Sequence, residues 1–308
     1  MNDKHAAASP ERDESQQLNK NDAFMCFGIT ALVYVALSAV LGSVQNIVEK
    51  GSAVWWICLV VTSLGLGACA AVYLRCTHRN PWKQAALDVA PNPLHTVFAC
   101  VCVLGLMCFM APLTNWIYDL MEKAGLPRPS VDLPRQLVPL LLTATFVPAV
   151  CEELVFRGVV AQGLIRGMRN KTLAVVVSGA LFSLFHANPA QTLHQFAVGC
   201  LLSVLLIRGG SLWSCVIVHF VNNLAAVVCE FVLPEAVFTS WITCLVGGVV
   251  AIGSFVAYIL LVKPAPLVKP APLAFDLGER QTTPFAPVPT MLFALSVVVF
   301  VVLWVVAL

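Results

Sequence analysis

Charged residues are scarce in this sequence, and their scarcity excludes a soluble globular protein. Of the 308 residues, only 11% are charged whereas 59% are hydrophobic. Several apolar runs exceed the roughly 20 residues that a helix needs to cross the hydrocarbon core of a bilayer. The net charge of +2 is too small to indicate nucleic-acid binding. The composition therefore predicts an all-α, polytopic transmembrane helix bundle.

The cysteines lack the spacing of a disulfide framework or of a cysteine-rich metal site. The 12 cysteines lie almost wholly within apolar segments and form no CxxC pair. We therefore interpret them as small, buried membrane residues. Cys151 is the one thiol beside a candidate catalytic residue, but no histidine lies near it in the sequence.

Nine apolar stretches predict nine transmembrane helices, eight in the core and a ninth at the C-terminus. They cover about residues 24–44, 53–74, 95–117, 139–166, 173–187, 192–207, 212–233, 238–262 and 291–308. The polar first 22 residues are too long and too acidic for a secretory signal, so we expect the first span to be a retained anchor. A proline-rich linker with a direct repeat of VKPAPL, at 262–267 and 268–273, precedes the last span. Its composition is typical of a semi-rigid polyproline spacer.

The predicted spans divide the chain into segments and give it an orientation. The segments are a polar tail (1–22), three spans with their loops (23–135), a candidate catalytic core (136–233), an eighth span (234–262), the linker (263–290) and the last span (291–308). Most of the 18 basic residues fall on the inner side if the N-terminus is cytoplasmic. We therefore expect a multi-pass membrane protein with a cytoplasmic N-terminus, in the plasma membrane if the source is bacterial.

Three charged residues interrupt the fourth span. Between Leu137 and Ile165, the only charged residues are Glu152, Glu153 and Arg157. A charge at the bilayer centre costs about 2.5–3.5 kcal/mol on translocon scales, so such a cluster indicates a functional site. Glu153 and Arg157 are four residues apart and predict an ion pair on one helix face. Glu152 is rotated from Glu153 by about 100° and lacks a basic partner at helical spacing, which suits a general base.

The same span contains Pro148, and we expect it to perturb the helix beside the site. Proline has no backbone donor, so it leaves the carbonyl of Ala144 without its helical partner. A kink next to the charged cluster is the expected result.

Two further spans bring polar side chains into the membrane. Residues 182–186 read FSLFH and end in His186, within a stretch from 172 to 207 that has no charged residue. Residues 219–223 read HFVNN and place His219 and Asn223 on one helix face. Two such donors could hold a developing oxyanion, or His219 could help to bind a metal. Counted from the basic ends of the helices, Glu152, His186 and His219 lie at compatible depths for one water-filled cavity that opens to the basic side.

The other polar residues of these spans are expected to have no catalytic role. We expect Asn188 and His194 to be solvated at the membrane surface, and Asn222 to face another helix. The remaining histidines are expected to be exposed or interfacial: His5, His78 and His95.

Three motifs in this order resemble those of the CPBP family, which includes type II CAAX prenyl endopeptidases and Abi-type bacteriocin-immunity proteins. The motifs are EELVFRG from Glu152, FSLFH ending at His186, and HFVNN from His219. The resemblance covers about residues 137–233. The first three spans and the tail from 264 onward match the family only in being hydrophobic or linking.

The resemblance implies an intramembrane protease, and it assigns a role to each motif residue. Glu152 and His186 would activate water, and Arg157 would hold Glu153 as an orienting carboxylate. His219 and Asn223 would form the oxyanion site. We favour a metal-free mechanism, because there is no HExxH motif and two adjacent glutamates are not a usual zinc ligand pair. The alternative is a divalent metal such as zinc, held by Glu152, His186 and His219.

The leading hypothesis is therefore an endopeptidase that acts on a hydrophobic or lipidated peptide at the membrane, with lipid as its surroundings and no nucleic-acid partner. One alternative is a non-proteolytic peptide-binding or bacteriocin-immunity protein that uses the same cavity. A second is an ion-coupled transporter, in which the carboxylates and His186 relay ions. The absence of evident inverted repeats disfavours the transporter. Substrate identity and oligomeric state lie beyond the sequence.

Overall fold

The computed structural model describes residues 17–126, 133–232, 240–264 and 284–307, and within these ranges all the regular structure is helical. The long helices are α1 (Lys20–Gln45), α2 (Ala53–Cys76), α3 (Pro93–Lys123), α4 (Leu137–Gly167), α5 (Lys171–Phe185), α6 (Thr192–Gly209), α7 (Leu212–Val232), α8 (Trp241–Leu261) and α9 (Pro287–Val306). The first 16 residues of the polar tail and most of the proline-rich linker, including most of its repeat, lie outside the described residues. Each helix corresponds to one of the predicted spans.

Eight of these helices are long and apolar enough to cross a membrane, so the protein is a multi-pass membrane protein. The exception is α5, whose 15 residues extend only about 22 Å at 1.5 Å per residue. The fifth predicted span, about residues 173–187, is therefore a helix of the predicted length, but it is too short to count among the membrane-crossing helices. The helix stops at its C-cap, His186, because Ala187 adopts a left-handed backbone conformation with φ 45° and Pro189 follows. His186 is therefore placed at a helix end rather than within a continuous span.

The first two helices are joined at one end by a buried polar cluster. Asp22 accepts hydrogen bonds from the Arg79 guanidinium at 3.0 and 3.1 Å and from the Tyr73 hydroxyl at 2.7 Å. The same carboxylate completes the capping box that begins α1, by accepting from the backbone N–H of Asn19. The cluster sets the position of α1 beside α2. Both helices also line a cavity next to Glu152 and His186.

Close helix packing brings α3 against α8. A Cβ atom on Gly105 would lie 2.6 Å from the backbone nitrogen of Ala251, so only glycine allows this approach. At one end of the pair, His95 is buried and its Nδ1 lies 2.9 Å from the Tyr258 hydroxyl. The expectation that His95 is exposed or interfacial is wrong, because the aromatic ring of α8 covers it. His78 is exposed as expected, whereas His5 lies outside the described residues.

The C-terminal helix α9 packs against α1 and α5. Phe300 is 1% exposed and stacks on Phe185 with ring centroids 4.9 Å apart. One turn further along α9, the Trp304 indole N–H donates to the Thr192 hydroxyl at 2.8 Å. These two contacts hold the residues on either side of the turn between α5 and α6, which contains His186.

Candidate active site

The backbone of α4 changes its hydrogen-bond register on both sides of the charged cluster. Residues Leu142–Phe146 and Phe156–Ala161 are π-helical, and the regular segment Val147–Val155 lies between them. Pro148 occupies the start of this regular segment, where a missing donor is least costly. A π-helical turn lies just before the proline, and the expected kink stays a prediction. Such π-helical turns inside helices are frequent at functional sites.

Glu153 and Arg157 form the predicted ion pair within α4. Arg157 Nη1 donates to Glu153 Oε1 at 2.7 Å, and both side chains are fully buried. Arg157 Nη2 also donates to the carbonyl of Gly199 on α6 at 3.1 Å, and the guanidinium lies over the Phe182 ring at 4.4 Å. Pairing and stacking offset part of the desolvation cost of these two charges.

The contact between Arg157 and α6 depends on a close helix crossing. A Cβ on Gly199 would lie 2.8 Å from the Cα atom of Gly179 on α5. Two facing glycines therefore let α5 and α6 approach closely. This crossing places the Gly199 carbonyl and the Phe182 ring on opposite helices around the Arg157 guanidinium.

His219 of α7 completes the surroundings of Glu153. Its Nδ1 lies 2.7 Å from Glu153 Oε1, the same oxygen that accepts from Arg157. His219 is 2% exposed, and its ring packs edge-on against Phe182 with centroids 5.6 Å apart. Because the carboxylate is an acceptor, the imidazole donates from Nδ1 and directs Nε2 away from Glu153.

The second nitrogen of His219 faces Glu152, as does the second nitrogen of His186. The distance from Glu152 Oε2 is 3.9 Å to His186 Nε2 and 3.9 Å to His219 Nε2. His186 donates from Nδ1 to the carbonyl of Phe182 at 2.8 Å, because a carbonyl only accepts. Three helices thus bring one carboxylate oxygen and two imidazole nitrogens towards a common point.

The convergence of these three atoms has a chemical consequence. With Nδ1 of each ring committed as a donor, Nε2 of a neutral imidazole is an acceptor, and so is an ionised carboxylate. Glu152 Oε2 has no hydrogen-bond partner among the described residues, although it is buried. Separations of 3.9 Å are too long for direct hydrogen bonds but suit a bridging water with contacts of about 2.8 Å.

Asn223 lies one turn beyond His219 on α7, and its contacts differ from those of the other motif residues. Its Oδ1 accepts a hydrogen bond from the Asn222 amide at 3.2 Å. No hydrogen bond links it to Glu152, His186 or His219 within the described parts of the chain. The oxyanion role of Asn223 is therefore a proposal that rests on its position along α7.

Asn188 and His194, two polar residues beside the motifs, have hydrogen-bond partners on other helices. His194 Nε2 lies 3.1 Å from Asn222 Oδ1, so Asn222 faces another helix as expected. Asn188 caps the turn before α6 and donates to the Tyr118 hydroxyl at 3.0 Å. Asn188 and His194 are both half-buried and have partners on α3 and α7, so their expected solvation at the membrane surface stays a prediction. The HFVNN pattern contains Asn222, but no periodicity links it to His194.

A cavity of about 200 Å³ adjoins the site and includes Glu152 and His186 in its wall. Much of the remaining wall comes from α1 and α2. These residues supply hydroxyl groups and apolar surface in about equal measure: Tyr34, Leu59, Thr62, Ser63 and Leu66. This volume is smaller than the roughly 300–1,000 Å³ of a typical small-molecule pocket. Its opening towards the basic side of the protein stays a prediction.

Glu152, His186 and His219 are the side chains that would hold a divalent metal at this site. Within the described ranges, no three His, Cys, Asp or Glu side chains are arranged to hold one. Tetrahedral zinc with bonds of about 2.0–2.1 Å would hold a carboxylate oxygen and an imidazole nitrogen about 3.3 Å apart. The observed separations are 3.9 Å. Glu152 Oε2 therefore lies farther from His186 Nε2 and from His219 Nε2 than two ligands of tetrahedral zinc would lie from each other.

Residues 134–225 match the family model described as type II CAAX prenyl endopeptidase Rce1-like. This segment, called below the Rce1-like domain, is similar to that family. The match spans less than a third of the chain, and it contains all six residues singled out by the motifs. No curated protein and no solved structure matches the chain. Helices α1, α2 and α9, which pack around the cavity and the α5–α6 turn, lie outside the Rce1-like domain.

Proposed function

We propose that this protein is an intramembrane endopeptidase that hydrolyses a peptide bond in a hydrophobic or lipidated substrate at the membrane. The observation that carries the proposal is the convergence of Glu152 Oε2 with His186 Nε2 and His219 Nε2 at 3.9 Å each. A water molecule at this point can donate to Glu152 and to His186, and the carboxylate of Glu152 can deprotonate it. The match to the Rce1-like family supports a peptide substrate.

In the proposed reaction, Glu152 is the general base. It takes a proton from a water held between Glu152 and His186, and the oxygen of that water attacks the carbonyl carbon of the scissile peptide bond. The proton then passes to the nitrogen of the departing amine as the carbon–nitrogen bond breaks. His186 is suited to position the water, because its Nδ1 is fixed by the Phe182 carbonyl and its Nε2 faces Glu152.

The charge balance of the cluster suggests how His219 acts. Two carboxylates and the Arg157 guanidinium leave one negative charge in excess when both histidines are neutral. His219 Nδ1 already donates to Glu153, so Nε2 can donate only when the ring carries a hydrogen on both nitrogens. In the proposed reaction, Nε2 of this doubly protonated ring donates to the oxyanion together with the amide of Asn223.

The decisive experiment is cleavage by the purified full-length protein in liposomes. Two internally quenched peptides serve as probes: one contains a farnesylated cysteine followed by three residues, and the other has the same sequence with unmodified cysteine. Glu152→Gln removes the general base while keeping the side-chain shape, so we expect kcat/KM to fall about 10²–10⁴-fold. His186→Asn should have a comparable effect. Unchanged cleavage by Glu152→Gln would overturn the assignment of the base.

Matched controls are available outside the site. Glu122 is an exposed carboxylate near the end of α3, and Glu122→Gln repeats the chemical change without touching the cluster. His78 is exposed, with a left-handed φ of 57° that asparagine tolerates, so His78→Asn matches His186→Asn. Both controls should retain wild-type cleavage. Peptide binding without cleavage by the wild type would favour the immunity or peptide-binding function, and ion flux across sealed vesicles would favour the transporter.

A further inference from the structure

A chain of two hydrogen bonds reaches Asn223 from helix α6. His194, near the start of α6, has its Nε2 3.1 Å from Oδ1 of Asn222 on α7. The amide nitrogen of Asn222 in turn lies 3.2 Å from Oδ1 of Asn223. Asn222 is 4% exposed, so its amide depends on these two protein partners. The chain thus ends on the residue proposed to face the oxyanion.

The orientation of the Asn222 amide in the structure gives this chain its direction. Its oxygen faces His194 and only accepts, so in this orientation the His194 imidazole donates from Nε2. Asn222 uses its oxygen for His194, which leaves its NH₂ group to donate to Asn223. The oxygen of Asn223 therefore accepts from Asn222, and the NH₂ group of Asn223 remains available as a donor. Within the described residues, no acceptor is bonded to that group.

The orientation of Asn223 decides whether it attracts or repels an oxyanion. Rotation of a side-chain amide by 180° exchanges its oxygen and nitrogen with almost no change in shape. If Asn222 were rotated, its oxygen would face Asn223, and Asn223 would rotate in response to donate to it. Asn223 would then present its carbonyl oxygen, a like partial charge, to the developing oxyanion. While His194 carries its hydrogen on Nε2, it disfavours this alternative, because a rotated Asn222 would place its NH₂ group against the N–H of His194.

We infer that His194 and Asn222 are positioning residues that orient the Asn223 amide so that its NH₂ group points towards the oxyanion. The inference rests on the proposed endopeptidase function and deepens it. His194 and Asn222 are not among the residues that define the three motifs, and they affect catalysis here through Asn223. The alternative is that the hydrogen bond between His194 and Asn222 only holds α6 against α7. The experiments below distinguish this stabilising role from the orientation of Asn223.

The first test is a double-mutant cycle on the liposome-reconstituted protein, with the farnesylated quenched peptide as the probe. His194→Leu should lower kcat about tenfold and leave KM within about threefold, since loss of one full oxyanion donor costs about 10²–10³-fold. In the Asn223→Ala background the same change should alter kcat less than twofold, because no amide remains to be oriented. Gln195→Leu, a polar-to-leucine change at the adjacent position of α6, serves as the control and should retain wild-type kcat.

An equal fold-change in both backgrounds would show that His194 acts without Asn223 and would overturn the inference. Asn222→Asp refines the result, because an aspartate still accepts from His194 but cannot donate to Asn223. It should keep the thermal unfolding midpoint and lose activity in the wild-type background, with little further loss in Asn223→Ala. Full activity in Asn222→Asp would mean that the bond between His194 and residue 222 only holds α6 against α7, and it would contradict the inference.

The second test does not depend on catalysis. In ¹⁵N-histidine-labelled protein, His194→Leu assigns the ring signals of residue 194, and these should report hydrogen on Nε2 in the wild type. They should change in Asn222→Leu. A ring without hydrogen on Nε2 would overturn the hydrogen-bond chain whatever the protein cleaves. Absence of wild-type cleavage of the probe would instead reject the proposed function and, with it, the catalytic consequence assigned to His194.

Discussion

His219 Nδ1 lies 2.7 Å from Glu153 Oε1, and this contact joins the first and third motifs across α4 and α7. Arg157 donates to the same oxygen at 2.7 Å. Oε2 of both glutamates is buried without a hydrogen-bond partner in the described residues, but Oε1 of Glu153 is held between a guanidinium and an imidazole. Adjacent carboxylates in one helix therefore have opposite surroundings, which is how proteins divide acid–base roles between like groups.

Substitution of the two glutamates should separate activity from stability. Glu153→Gln removes a charge that two donors stabilise, so it should lower the thermal unfolding midpoint as well as cleavage. Glu152→Gln removes a charge that has no hydrogen-bond partner, so it should abolish most cleavage while the midpoint stays equal or rises. Both are measured on purified protein in one detergent, by thermal unfolding and by cleavage of the farnesylated peptide. Equal midpoint losses in the two variants would contradict the distinct surroundings.

Removal of Arg157 should be more damaging than replacement of the whole ion pair. Arg157→Ala leaves Glu153 charged and buried without its guanidinium, which typically costs about 3–5 kcal/mol. The double variant Glu153→Gln with Arg157→Met removes both charges and keeps an apolar side chain beside Phe182, so it should recover much of the lost midpoint. Arg75→Ala, at an exposed arginine of α2, is the control for loss of a positive charge. If Arg157→Ala unfolded at the wild-type temperature, the pair would have no stabilising role.

Chelators should leave cleavage unchanged. The wide spacing of Glu152, His186 and His219 led us to propose a metal-free reaction. We therefore expect EDTA and o-phenanthroline, added to the reconstituted protein before the peptide, to change the initial rate less than twofold. A loss of activity that added zinc restores would reverse this prediction and assign the three residues to a metal.

The last helix should contribute to the site, although it lies outside the Rce1-like domain. Phe300 stacks on Phe185, the neighbour of His186, so Phe300→Ala creates a cavity beside the α5–α6 turn. Large-to-small changes of this kind cost about 3–5 kcal/mol in soluble protein cores. We expect a lower unfolding midpoint together with a several-fold lower kcat. Val301→Ala removes an exposed side chain of the same helix and should change neither quantity; equal effects of the two variants would exclude a specific role for Phe300.

Filling the cavity should interfere with substrate. Thr62 of α2 lines it together with Glu152 and His186, and Thr62→Phe would occupy most of its width. If the peptide binds there, KM should rise at least fivefold while thermal stability is retained. Leu64→Phe, two residues away on the exposed face of α2, is the matched control and should behave as wild type. An unchanged KM in Thr62→Phe would place the substrate elsewhere.

The local features of the molecule were predictable from the sequence. Hydrophobic length predicted the helices, because every span must satisfy its backbone hydrogen bonds internally and exclude charge. Helical periodicity predicted the Glu153–Arg157 pair, because residues four apart on one helix meet whatever surrounds them. The three motifs also predicted six candidate site residues, and all six lie within the matched residues 134–225.

Contacts between helices were decided only by the tertiary structure. The sequence contains no signal that His219 bonds Glu153 rather than Glu152, that His194 reaches Asn222, or that Tyr258 buries His95, because each contact depends on the rotation and depth of two separate helices. The end of α5 at Phe185, just before His186, also escaped prediction, since it is set by the left-handed turn at Ala187 and not by hydrophobicity. The sequence by itself determined which groups enter the membrane, and helix packing decided which of their atoms face one another.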